Sequence, residues 1–174
     1  MAGVHQTTGG GGGGGEQMIQ FAGQPLTTAC PALEILGSTA KYEGWAFDDT
    51  TEEYLYDQFQ VPNNLDTAGT VTFTAYVMAK TAAASKNVAL TFGHRALGDS
   101  EAVDGAYTDE DTGDVAIDAT QGDQTKITWT ETVANLGWAA GDQLLCRLSR
   151  YAAGANNLSG DMYLIGFSVR IPTE

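Results

Sequence analysis

Positive charge is scarce in this chain. It has 8 Lys and Arg against 22 Asp and Glu, a formal net charge of −14 over 174 residues. Such a surface repels phosphate, which argues against nucleic acid as a partner and against an anionic membrane surface. No run of about 20 apolar residues is present to cross a bilayer as a helix. No basic-then-apolar leader opens the chain, so export by the usual route is not expected. The two cysteines, Cys30 and Cys146, stand far apart in sequence. A disulfide would need their Cα atoms within about 7 Å. Cys146 alternates with leucines and is expected to be a free, buried, small apolar residue, in a chain made in a reducing compartment. The two histidines, His5 and His94, have no acid or cysteine partners at zinc-ligand spacing, and His94 is expected to hydrogen-bond at the surface. No Gly-x-Ser-x-Gly elbow exists. The glycine run Gly9–Gly15 is not closed by Lys-Ser or Lys-Thr, so it is no phosphate loop. No catalytic residue, metal or cofactor is expected.

What is present describes a folded body. Hydrophobic residues make up 43% of the chain and aromatics 9%, too many for a disordered polymer. Length favours one domain with a short appendage. Residues 1–40 read as a flexible N-terminal arm: a polyglycine tether, then a stretch punctuated by Pro25 and Pro31, with no Lys or Arg before Lys41. Ile19, Phe21, Leu33, Ile35 and Leu36 are its apolar anchors.

Residues 41–174 read as strands and turns. Val71, Phe73, Ala75 and Val77 alternate with threonines and Tyr76, the period of a half-buried strand. Leu55, Asp57, Phe59 and Val61 repeat the pattern up to Pro62 and Asn63-Asn64. So do Val88, Leu90 and Phe92, then Ile127 and Trp129. Leu144, Cys146 and Leu148 are expected inside, with Arg147 and Ser149 outside. Tyr163, Ile165, Phe167, Val169 and Ile171 share a face of the last strand, and Trp45-Ala46-Phe47 opens the sheet. One helical turn fits within Thr130–Ala140. Antiparallel strands that bury one face give this alternation. The fold expected is all-β: an antiparallel β-sandwich, specifically a jelly roll.

Acidic residues crowd Asp99–Asp123, where Lys and Arg are absent. Their order misses the calcium-loop spacing, so a solvated loop is expected. Asp48, Asp49, Glu52 and Glu53 stand in a turn, where acids serve turn chemistry. Trp45 and Trp129 fall on apolar strand faces. Trp138 lies in a loop and is the freest of the three tryptophans; with Tyr107 and Tyr151 it makes a candidate loop interface.

The sheet region also resembles a family of bacteriophage virion structural proteins. The resemblance is carried by Trp45-Ala46-Phe47-Asp48-Asp49, Glu53-Tyr54 and Phe59-Gln60-Val61-Pro62. It continues through the strand Thr70–Val77, Ala140-Gly141-Asp142, Leu148-Ser149-Arg150, Leu158-Ser159-Gly160-Asp161 and Leu164-Ile165-Gly166. It implies a non-enzymatic capsid decoration (cement) protein, commonly homotrimeric, made in the host cytoplasm and bound to the major capsid protein on the virion surface. The arm anchors would then be the shell contacts, and deleting Met1 to Leu36 would leave the body folded. The alternative from another class is a carbohydrate- or host-surface-binding jelly-roll module of a phage head or tail fibre, with Tyr107, Trp138 and Tyr151 as ligand platforms.

Overall fold

The computed structural model describes residues 7–8, 15–82 and 86–174. The run of glycines up to Gly14 and the Ala-rich connection at 83–85 lie outside the described residues. Among the described residues, twelve strands form two antiparallel sheets. The larger holds β1 (Thr7–Thr8), β2 (Gly15–Gln20), β3 (Ala32–Leu36), β4 (Tyr42–Phe47), β6 (Thr70–Ala79), β10 (Thr125–Thr132) and β12 (Met162–Thr173). The smaller holds β5 (Tyr54–Gln60), β7 (Asn87–Leu97), β8 (Thr108–Asp111), β9 (Val115–Ala116) and β11 (Gln143–Tyr151). From β4 to β7, and again from β10 to β12, successive strands cross from one sheet to the other. This is the jelly-roll way of wrapping a sandwich. One helical turn, α1 (Val133–Leu136), is capped by the Thr132 side chain and closed by Gly137 at φ 66°.

Strand alternation supplies the core. Val71, Phe73, Ala75 and Val77 of β6 are fully buried, facing Leu55, Leu90, Phe92, Leu144, Cys146 and Leu148 of the opposite sheet. Aromatic rings fill the middle. Phe73 lies 4.9 Å from Phe92 and 5.2 Å from Trp129, and Phe167 lies 5.5 Å from Phe92. Offset and tilted pairs at these separations add about 0.5–1.5 kcal/mol each beyond burial.

Three expectations change here. The first is the arm. From Gly15 onward it is part of the body: β2 pairs with β12 in register from Gly15↔Thr173 to Gln20↔Ser168, and β3 pairs with β4. Ile19 is 3% exposed within the main core, Phe21 packs edge-on against Phe167, and Leu36 is buried in a second cluster with Ala46, Met78 and Tyr163. A six-residue strand with one inward apolar residue has too little pattern to read alone. It is a strand because the twelve-residue β12 offers it a free edge. The second change lies in β12 itself. The pairing shifts register between Leu164 and Gly166, so Met162 and Leu164 join Phe167, Val169 and Ile171 in the core. Tyr163 and Ile165 go to the outer cluster. A bulge of this kind flips the face on which later residues lie. The third concerns the acidic segment. Rather than a free loop throughout, it contains β8 and β9 and buries Ile117 to 7% exposure.

Candidate functional site

The outer face of the smaller sheet carries a line of polar and aromatic side chains that the core alternation leaves pointing away from the sandwich. Strand register sets it in rows. Tyr56 of β5 lies opposite Arg147 of β11, which lies opposite Gly93 of β7, which lies opposite Asp109 of β8. One row on, Gln58 faces Leu145 and Leu145 faces Arg95; on the other side Tyr54 faces Ser149 and Ser149 faces Thr91. Ser149, expected exposed, is 1% exposed beneath this layer.

Arg147 organises the face. Its Nη2 donates to both oxygens of Asp109 at 3.0 Å. Its guanidinium carbon sits 4.9 Å from the Tyr54 ring centre and 4.8 Å from that of Tyr107. A cation held over aromatic faces at this range brings a modest gain, about 0.5–1 kcal/mol where exposed. Gly93 makes room: a Cβ there would come within 2.6 Å of Arg147 Nε and of Asp109 Oδ1. Burial holds the Tyr107 phenol above its ordinary pKa, and burial followed by the hydrogen bond with Glu52 does the same for Tyr54. Both rings stay neutral.

Beside this stack runs a groove of about 310 Å³. Leu145 forms part of its lining, with Tyr56, Leu26 and Tyr107 as further apolar surface and Gln24, Asp57 and Gln58 as its polar groups. The segment after β2 builds one wall, since Gln24 and Tyr56 exchange backbone hydrogen bonds at 2.7 and 3.0 Å. Asp57 is engaged within the protein, accepting from the backbone N–H of Ala22 and of Gln58. An apolar surface with a few convergent polar groups is the general form of a small-molecule site.

The other candidates fall elsewhere. Trp138, expected free, is 4% exposed, and His94, expected at the surface, is 2% exposed. The indole Nε1–H of Trp138 donates to His94 Nδ1 at 3.1 Å, so each buries the other's polar atom. Tyr151 shares the outer side of β11 with Arg147 but lies at its end, beside the turn at Asp48–Glu52. Ile19 and Leu36 are internal, whereas Leu33 and Ile35 are 48% and 64% exposed. Leu33 borders a cleft of about 210 Å³ with Phe21, Trp45 and Phe167 at the open side of the sandwich.

Asp48, Asp49 and Asp161 bring carboxylate oxygens within 4.8 Å of one another. One oxygen of each already has protein partners. Asp48 accepts from Thr50 and Thr51, Asp49 from the Gly160 N–H, and Asp161 from Lys80 Nζ at 2.9 Å. Behind them Arg150, 3% exposed, donates to the carbonyls of Phe47, Leu158 and Gly160. The strings Trp45–Asp49, Leu148–Arg150 and Leu158–Asp161 therefore converge on one knot that ties β4, β11 and the 158–161 turn.

Tyr54, Tyr56, Gln58, Asp109 and Arg147 went unread as a face in the sequence. The available signal was tyrosine at alternate positions on the polar side of a strand, Tyr54 and Tyr56 flanking buried Leu55.

No protein-family model matches the chain, and no curated protein matches it. Among solved structures it is similar to dimeric latent PorU from Porphyromonas gingivalis, at 12% identity and a TM-score of 0.47, over 98% of this chain and 14% of that one. It is similar to the xylan-binding module CBM15 at 12% identity and a TM-score of 0.42, over 97% of each chain. The CBM22-1 xylan-binding domain of Paenibacillus barcinonensis Xyn10C is also similar, at 14% identity and a TM-score of 0.43, over 82% of each chain.

Proposed function

We propose that this chain is a non-catalytic carbohydrate-binding module, with its ligand lying along the outer face of the smaller sheet. One observation carries the reading: the groove presents the tyrosines Tyr56 and Tyr107, an apolar Leu145, and the amides of Gln24 and Gln58 together. A sugar ring has apolar C–H faces and hydroxyls around its rim. It matches tyrosine, which offers an apolar body and a polar tip, and amides, which both donate and accept. The strand scaffold fixes Tyr56, and the stack on Arg147 fixes Tyr107, so little ordering is left to be done on binding.

The test is affinity electrophoresis against soluble polysaccharides, with arabinoxylan, mixed-linkage β-glucan and galactomannan in separate gels. At least one should retard the protein. Tyr56→Ala and Tyr107→Ala should each weaken the retardation about tenfold or more, the scale of an aromatic hot spot. Equal mobility in every gel would overturn the reading.

A second reading, attachment to a phage shell as a homotrimer on the major capsid protein, has the exposed side chains of Leu26, Leu33 and Ile35 in its favour. Co-sedimentation with undecorated particles tests it, and failure to pellet would remove it.

A further inference from the structure

Resting on the carbohydrate-binding reading, we propose that the groove selects uncharged glycans and rejects polyuronates, because no cation lines it and Asp109 cancels the nearby charge of Arg147. Two guanidinium groups lie on this side of the smaller sheet, and neither lines the groove. Arg147 is held by both oxygens of Asp109 at 3.0 Å and stacked between Tyr54 and Tyr107. Arg95 donates to the Ala102 carbonyl and lies in contact with Gly105, so the loop leading to β8 is laid against it. The side-chain groups facing the groove with no hydrogen-bond partner among the described residues are the amides of Gln24 and Gln58 and the phenols of Tyr56 and Tyr107. All four are neutral.

The charges around them have the same effect. Asp57, Asp109 and Asp111 on or beside the face outnumber Arg95 and Arg147, and the whole chain carries −14. A carboxylate-bearing polymer would meet repulsion with no cation in the groove lining to offset it, and like charges brought together oppose association. A neutral polymer pays no such cost, and its binding has no charge for salt to screen.

The experiment compares the full chain against arabinoxylan, mixed-linkage β-glucan and galactomannan on one side, and polygalacturonate and alginate on the other, at low and high NaCl. The wild type should bind a neutral polymer at least about tenfold more tightly than either polyuronate, with neutral binding changed less than about twofold by 0.5 M NaCl, beyond the screening of surface charge. Asp109→Asn frees the Arg147 guanidinium. That variant should gain polygalacturonate binding that salt removes, and adding Arg147→Met should abolish the gain. Wild-type preference for a polyuronate would overturn the proposal while leaving glycan binding intact. So would an unchanged ratio in a folded Asp109→Asn variant. Absence of binding to all five polymers would overturn the carbohydrate reading and this proposal together. If Asp109→Asn lowers the thermal midpoint too far for binding to be measured, the wild-type ratio decides alone.

Discussion

His94 shows how a single residue is redefined by its surroundings. Buried against Phe92 and Trp138, it is kept neutral: desolvation pulls its pKa from 6.5 down to about 4, with the Asp109 charge opposing. The unfolded chain therefore takes up a proton at His94 between those values, while the folded chain does not. The stability so gained is fully present above pH 6.5 and is lost as pH falls toward 4. The loss is about 3 kcal/mol at the rate of 1.36 kcal/mol per pKa unit. Glu110, whose carboxylate lies 3.7 Å from His94 Nε2, is displaced upward by burial and then by neighbouring acids, so its own titration offsets part of this loss. Urea midpoints measured at pH 7 and pH 4.5 should fall steeply for the wild type. They should fall less for His94→Gln, which keeps an acceptor for Trp138 but has no proton to gain. Equal slopes would show that His94 does not carry the effect.

At the scale of the element, β2 and β3 decide whether the N-terminal segment is an appendage. Ile19 sits in the core while Leu33 is half exposed. Ile19→Ala should cost about 2–5 kcal/mol, as for other buried aliphatic truncations, and Leu33→Ala should stay within about 0.5 kcal/mol. Urea denaturation of the two variants separates them. Deleting residues 1–36 would strip β12 of the ladder that runs from Gly15 to Gln20 and leave Trp45 and Phe167 uncovered. The truncated chain should lose its cooperative transition by circular dichroism. A cooperative transition at the wild-type midpoint would show that β2 and β3 contribute nothing to the fold.

Across the whole molecule, the two sheets enclose one thiol and leave the other accessible. Cys146 is 1% exposed with its thiol pushed up in pKa, chiefly by burial and then by the Asp57 charge; Cys30 is half-buried and free. The thiolate is the reacting form, so a thiol reagent should modify one site promptly in the native protein and the second only on unfolding. Two fast sites would mean the sandwich opens far more readily than its packing implies.

Sequence by itself determined the class of the fold. Alternation through Thr70–Val77, and of Leu90 with Phe92 and Leu144 with Cys146 and Leu148, buries one face as antiparallel strands do, and the solvent-side threonines of Thr70–Val77 fit a two-layer sandwich. It also determined that Cys146 would be a buried free thiol, since it occupies an inward position. Tertiary structure alone decided the rest. Whether Gly15–Gln20 became a strand depended on the free edge of β12, about 150 residues away. The bulge after Leu164 moved Tyr163 and Ile165 off the core face, which periodicity cannot foresee. The candidate groove, finally, exists because cross-strand register places Tyr56, Arg147, Gly93 and Asp109 in one row. Those residues come from four strands, and register between distant strands is set by the packing of the buried face, not by any local pattern.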